Sequence, residues 1–368
     1  YASWAIYGDG YFVTDIPADL LTHINYAFAF VSDEGEIALA DEWADAQYRY
    51  PNDSPDQPLL GNFHQLRLLK QAHPHLQTLI SIGGWTGSGG FSDVALTPDS
   101  REKFARSVAA FVTRYGFDGA DIDWEYPTGG GAPGNTERPD DAGNFVLLLE
   151  ALRAALDEQG QRDDRHYALT IAASASPSAN RRLDWSQIHP LLDWINVMTY
   201  DMSGSWSRVT GFNAPLYNSS ENPPEGNSTD SAMRAFLDLG VPADKLVMGV
   251  PFYGRGWAGV RDENNGLHQP FNGLPAGVPE GSFAYHALAD GFAGTYQRLW
   301  HEAAQVPWLY AADAATMISY DDPESLGIKA SYARESGFGG IMFWELSQDS
   351  EDSALLRSIY QTLNAPCY

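Results

Sequence analysis

Three carboxylates set two residues apart, Asp121, Asp123 and Glu125, are the residues of this chain whose types and spacing point most directly to chemistry. In an extended strand successive side chains point to opposite faces, so all three acids share one face and Ile122 and Trp124 take the other. Like charges that close repel, and their proton affinities rise and become coupled. Such carboxylates are material for acid/base work. The bland alternative is a strand end whose acids merely cap the next loop. Pro127 and the run Thr128-Gly129-Gly130-Gly131 stop the strand, which puts Glu125 at its C-terminal end. The glycine run itself predicts a flexible turn. It is not a phosphate cradle, because no Lys-Ser/Thr follows it.

A row of acids needs a scaffold, and the surrounding pattern supplies one. Strand-like runs are predicted near residues 3–7, 23–30, 78–85, the acidic stretch itself, 167–173, 194–201, 246–253 and 340–345. Most are followed by a helix-like run, near 63–72, 98–112, 141–158 and 353–363. Thr97-Pro98-Asp99 reads as a helix cap with proline at the first position. Phe104, Val108, Phe111 and Val112 then keep helical spacing. Gly83-Gly84 allow a sharp turn after the third strand. Repeated β/α alternation predicts an α/β protein, a parallel sheet closed into a (β/α)8 TIM barrel, built from residues 1–257 and 322–368. Chemistry in that fold sits at the C-terminal strand ends. Trp85, Glu125, Tyr200, Asp201, Tyr253 and Trp344-Glu345 all fall there. Strand seven is separated from the helix near Pro323 by roughly seventy residues, against about two to six in an ordinary β/α connection. Its aromatic content predicts a small α+β insertion, residues 258–321, forming one wall of a groove.

Composition narrows the partners. The chain has 368 residues and a formal net charge of −26, which argues against nucleic acid and anionic membrane surfaces. Eleven tryptophans and 19 tyrosines are a rich supply, and flat rings suit sugar faces, although most are expected to pack internally. The single cysteine, Cys367, allows no intrachain disulfide. The nine histidines show no metal-binding spacing, so neither metal nor cofactor is expected. No leader or membrane-length apolar run is visible, and the chain reads as a mature or excised module.

Asp118-Gly119-x-Asp121-x-Asp123-x-Glu125, continued by Tyr126-Pro127, resembles the signature of glycoside hydrolase family 18, the chitinases. Ser81-x-Gly83-Gly84-Trp85, Met198-Thr199-Tyr200-Asp201 and Met342-Phe343-Trp344-Glu345 resemble that family's third-, sixth- and eighth-strand motifs. The insertion resembles the chitinase insertion domain of the bacterial-type subfamily. The likeness runs over essentially the whole chain.

The resemblance implies a secreted, monomeric hydrolase of chitin and chito-oligosaccharides. It implies Glu125 as general acid, its proton affinity raised by Asp123 and partial burial. No enzyme carboxylate would act as nucleophile; the substrate's own 2-acetamido oxygen would attack, with retention. Asp123 would orient the acetamido N–H, Asp121 would share a proton with Asp123, and Ser81 would bond within that deeper network. Tyr200 would donate its hydroxyl to the acetamido oxygen. Asp201 would bond the sugar or Glu125, and Met198 would pack under the acetamido methyl. Trp344 would be the floor under the cleaved sugar and Trp85 a stacking platform on the leaving-group side. Trp206 and Tyr7 are further platform candidates. Tyr253 and Arg255 are substrate-binding candidates at the mouth of strand seven, where Arg255 would contact sugar or, the favoured reading, pair an acid at the base of the insertion. The alternatives are a non-catalytic chitin lectin, against which Glu125 speaks, and an endo-β-N-acetylglucosaminidase acting on N-glycans.

Overall fold

The computed structural model describes residues 1–8, 10–219, 228–292 and 295–366, so Cys367 lies outside the described residues. The chain forms two compact units. One comprises Tyr1–Ser174, Ser178–Ile195 and Leu239–Val241; the other comprises Ala175–Pro177, Asn196–Asp238 and Pro242–Tyr368.

In the first unit lie β1 (His23–Val31), β2 (Ile37–Leu39), β3 (Gln77–Gly83), β4 (Gly119–Asp123) and β5 (Ala168–Ser174). β1 pairs parallel with β3, β3 with β4 and β4 with β5, while β2 returns antiparallel along β1. β3 and β5 are mainly apolar and buried, as parallel strands covered on both faces are, whereas β4 keeps Asp121 and Asp123 among its five buried residues. The strand predicted at residues 3–7 is not one. Ser3–Ile6 forms a 3-10 turn, and only Ala2 makes a parallel bridge, to Ala27. The N–H groups of Ala5 and Tyr7 are spent on the carbonyls of Ala2 and Trp4, so no ladder can form. The run is mostly apolar, with Ser3, Ala5 and Ile6 buried and Trp4 and Tyr7 exposed, and periodicity cannot distinguish so short a turn from a strand.

Two helices back β4. Pro98–Tyr115 starts on Thr97, whose hydroxyl accepts from the Ser100 N–H while Ser100 reciprocates at the Thr97 N–H. Its predicted stripe, Phe104, Val108, Phe111 and Val112, is buried. Asp141–Asp163 runs farther than predicted and ends on Asp164 in the left-handed region, φ 51°.

The remaining strands are β6 (Trp194–Met198), β7 (Leu246–Pro251), β8 (Tyr253–Ala258), β9 (Ser282–Ala284), β10 (Gln297–His301), β11 (Val306–Ala311), β12 (Thr316–Ser319) and β13 (Gly340–Trp344). β13 pairs parallel with β7. β8 to β12 form a separate five-stranded sheet in the order β10-β11-β12-β8-β9, its pairings antiparallel. Here the sequence expectation is corrected. The strand predicted over 246–253 stops at Pro251, and Tyr253 and Arg255 belong to the first strand of the second sheet. That sheet therefore begins before residue 258. Trp257, Phe212, Val306, Trp308 and Met317 form its core.

Helix Pro323–Glu335 is capped by Asp322 and Ser325. It carries Lys329, which is fully buried with its Nζ 2.7 Å from both carboxylate oxygens of Asp321 and 2.6 Å from the Ala214 carbonyl. Ser325 donates to Asp321 at 2.7 Å. Among the described residues, no helix is long and apolar enough to cross a membrane.

Candidate active site

The acidic row is built by β4 and the register of its neighbours. Ser81 of β3 pairs with Asp121, and Gly83 with Asp123; on the other side Thr170 of β5 pairs with Asp121. Paired residues point to the same face. The Ser81 hydroxyl accordingly donates to Asp121 at 2.7 Å, and the Thr170 hydroxyl donates to its other oxygen at 2.6 Å. Ser81 was expected in this network. Thr170 was not, although it interrupts the apolar run Ala168-Leu169-Thr170-Ile171.

The intervening residues face the opposite way. Ile122 is fully buried, and Trp124 stacks on Phe91 at 5.5 Å and meets Phe145 edge-on at 5.7 Å. The alternation predicted for the strand is thus realised by packing, with aromatic area on one face and charge on the other. Gly83 has φ +112°, and a Cβ there would lie 2.3 Å from the Asp123 carbonyl oxygen, so the close β3–β4 approach requires glycine.

All three acids are withdrawn from water: Asp121, Asp123 and Glu125 are 2 %, 7 % and 9 % exposed. Asp123 Oδ1 is buried without a hydrogen-bond partner among the described residues. Its carboxyl is pushed well above the usual range, first by burial, then by the charges of Glu125 and Asp121. Burial and like charge thus favour the protonated form of this group or a hydrogen-bond donor at its free oxygen. Asp118, the fourth acid of the motif, behaves oppositely. Burial alone would raise it, but Lys70, the Thr78 N–H at 2.8 Å and Arg165 at 2.5 Å outweigh burial and bring it below the usual range. Asp118 is a neutralised structural charge.

In the second unit, β6 ends at Met198, earlier than predicted, and Tyr200 and Asp201 follow after Thr199. Asp201 adopts φ +57°. The buried Asn213 anchors that turn: its side-chain oxygen accepts from the Asp201 N–H at 2.9 Å, and its carbonyl accepts from Met202. Arg255 pairs with an acid, as expected, and that acid is Asp201. Nε and a terminal nitrogen lie 2.8 and 2.7 Å from Oδ1, so this oxygen is engaged by arginine. The guanidinium also lies over the rings of Tyr253 and Trp206, at 5.0 and 5.3 Å. Tyr200 meets Tyr253 edge-on at 6.2 Å, and its hydroxyl lies 3.8 Å from the Met342 sulfur. Trp344, at the end of β13, and Met198 are half-buried. Trp85 and Trp206 are 48 % and 59 % exposed. Tyr7 is exposed too, but its hydroxyl is tied to Asp41 at 2.7 Å. Among the described residues no cluster of His, Cys, Asp or Glu could hold a metal ion.

Comparison with known proteins adds to this geometry. The sequence pattern of the family described as Glycosyl hydrolases family 18 matches residues 1–349. Chitinase A1 of Niallia circulans is 43% identical over 95% of this chain, which spans only 56% of that protein's length. Chitinase ChiA74 from Bacillus thuringiensis superposes with a TM-score of 0.93 at 37% identity, covering 99% of this chain and 68% of that one. A glycoside hydrolase family 18 N-acetylglucosaminidase from Paenibacillus barengoltzii superposes with a TM-score of 0.82 at 34% identity, covering 98% of each chain. These likenesses give the chain the (β/α)8 fold that its alternation predicts.

Proposed function

The chain belongs to glycosyl hydrolases family 18, and from that premise we propose that it is a chitinase, a retaining hydrolase of β-1,4-linked N-acetylglucosamine polymers and oligomers. The observation that carries the proposal is Asp123. It is a buried acid of raised proton affinity, set between two further acids, with one oxygen awaiting a partner. An acetamido N–H of the substrate is a donor suited to that oxygen.

On this proposal Glu125 protonates the glycosidic oxygen as the C1–O bond breaks. The substrate's acetamido oxygen supplies the electron pair to C1, giving an oxazolinium ion. Asp123 accepts the acetamido N–H and offsets the positive charge. Asp121, held by Ser81 and Thr170, sets the charge of Asp123. Glu125 then takes a proton from water, which adds to C1 on the face the leaving group left, and configuration is retained. Tyr200 donates to the acetamido oxygen, Met198 packs near its methyl, and Trp344 carries the cleaved sugar. Trp85 and Trp206 stack neighbouring sugars. Asp201 is assigned to orienting through Arg255, because its Oδ1 is already bound there. The substrate is an extracellular polymer, and we place the enzyme outside the cell as a monomer.

A time course of products from chitin hexamer, with anomers resolved, tests the proposal. Retained β-anomers released from internal bonds are expected. Inverted products, or no cleavage, would overturn it. Release of single N-acetylglucosamine units alone would favour the N-acetylglucosaminidase reading that the Paenibacillus barengoltzii neighbour suggests.

A further inference from the structure

Glu125 stands outside the strand that carries its fellow acids. β4 ends at Asp123, whose last partner in β3 is Gly83, and pairing with β5 ends at Ile122. No sheet ladder therefore fixes the Glu125 main chain. A general acid two residues past the last ladder bond would lose its aim unless something else held it, and misplacement of about 1 Å can cost about 100-fold in rate.

The structure shows what holds it. Ser88 lies in the short turn Ser88–Gly90 that follows the third-strand motif, and it is 1 % exposed. Its hydroxyl oxygen accepts from the Glu125 N–H at 2.9 Å. Its single proton faces the Gly84 carbonyl at 2.8 Å and the Asp123 carbonyl at 3.1 Å. The Asp123 carbonyl also accepts from the Gly84 N–H at 2.8 Å. One buried hydroxyl thus joins the end of β3 to the main chain on both sides of Trp124. The far side of the Glu125 residue is held as well. Its carbonyl accepts from the Asn135 side-chain amide at 3.3 Å and lies where a Cβ on Gly131 would be only 1.9 Å away. The glycine run after the strand, predicted as a flexible turn, thus places Gly131 directly against the acid's main chain.

We propose that Ser88 is a positioning residue for proton donation, fixing the Glu125 main chain so that its carboxyl is aimed at the leaving oxygen; this rests on Glu125 being the general acid. Sugar binding does not depend on it. Loss of the Ser88 hydroxyl therefore penalises bond cleavage in proportion to how much the leaving group needs a proton.

The test compares Ser88→Ala with the parent chain on two substrates that share their glycone. One is a chito-oligosaccharide, whose leaving alcohol needs protonation; the other is a dinitrophenyl chitobioside, whose leaving phenolate does not. The parameter is kcat/KM, which covers steps through bond cleavage. We expect a fall of about 30-fold or more on the oligosaccharide and less than about 3-fold on the aryl glycoside, with oligosaccharide affinity unchanged. Equal losses on both substrates, or no loss on either, would overturn the proposal. If Ser88→Ala does not fold, as judged by thermal melting, Asn135→Ala takes its place on the same two substrates under the same criterion, with a smaller selective loss expected. Failure of the parent chain to cleave either substrate would instead defeat the chitinase reading itself.

Discussion

Asp321 in the second unit and Asp123 in the first are both nearly withdrawn from water, 2 % and 7 % exposed. Asp321 is fully answered. Lys329 lies 2.7 Å from each of its oxygens and Ser325 donates to one of them. Burial raises Asp321 and lowers Lys329, and their mutual attraction opposes both shifts. Asp123 has no cation. Its carboxylate neighbours are Glu125 and Asp121, both of which raise it, and one oxygen stays unbonded. Folding alone would favour the first arrangement at either place. A chain that builds a complete ion pair in one unit and a row of acids in the other has fitted the second to something that arrives later. The contrast holds within the motif itself, where Asp118 is neutralised by Lys70 and Arg165 while Asp123, at the other end of β4, is not.

Glu125→Gln strikes this contrast hardest. It is expected to lower kcat on chito-oligosaccharides by about 100- to 10,000-fold, the usual worth of a general acid, while titration calorimetry shows oligosaccharide binding retained. Turnover near that of the parent would place Glu125 with Asp321, among the structural acids. Lys329→Met is the counterpart. Stranding Asp321 without its cation should cost about 3–5 kcal/mol in urea unfolding, and adding Asp321→Leu should recover most of it. A silent single variant would mean that the pair contributes nothing to folding.

The smallest effects are the most diagnostic, because they differ in sign along one strand. The folded-state proton affinity of Asp123 lies above its unfolded value of 3.8, so its ionisation costs stability as pH rises through and beyond that value. Asp123→Asn should therefore raise the melting temperature at pH 7 while lowering activity, and the gain should shrink as pH falls toward 4. Asp118 is lowered in the folded state, so its contribution is present above the unfolded value and is lost as pH falls. Asp118→Asn should lower the melting temperature at pH 7 by a few degrees, roughly 1 kcal/mol in a chain of this kind, and matter less in acid. Melting curves with the same sign for both variants would erase the distinction between the two acids.

Much of this is legible in the sequence, for identifiable reasons. Period-two spacing puts Asp121, Asp123 and Glu125 on one face, and Thr97-Pro98 announces its helix. Ser81 is recognisable because it belongs to a motif. Thr170, Ser88 and Asn213 are not, because each acts through a partner far along the chain, and only register or a returning loop supplies that partner. Nothing in Thr86-Gly87-Ser88-Gly89 shows that its serine reaches the Glu125 N–H. The predicted strand at residues 3–7 fails because its N–H groups close local turns, and the boundary near Tyr253 fails because two strands from different sheets are separated by a single residue, Phe252.

The pairing of Gly83 with Asp123 and of Ser81 with Asp121 has a bearing on how such a chain can change. Side chains on β4 alternate, so the strand is read in a frame of two. Removing one residue between Gly116 and Asp121 would not weaken the site by degrees. It would turn Ile122 and Trp124 inward and send all three acids into the packing of Phe91 and Phe145, which no charge could occupy. The strand admits no odd edit. Lineages descended from this chain can vary its periphery widely and must inherit these few residues intact.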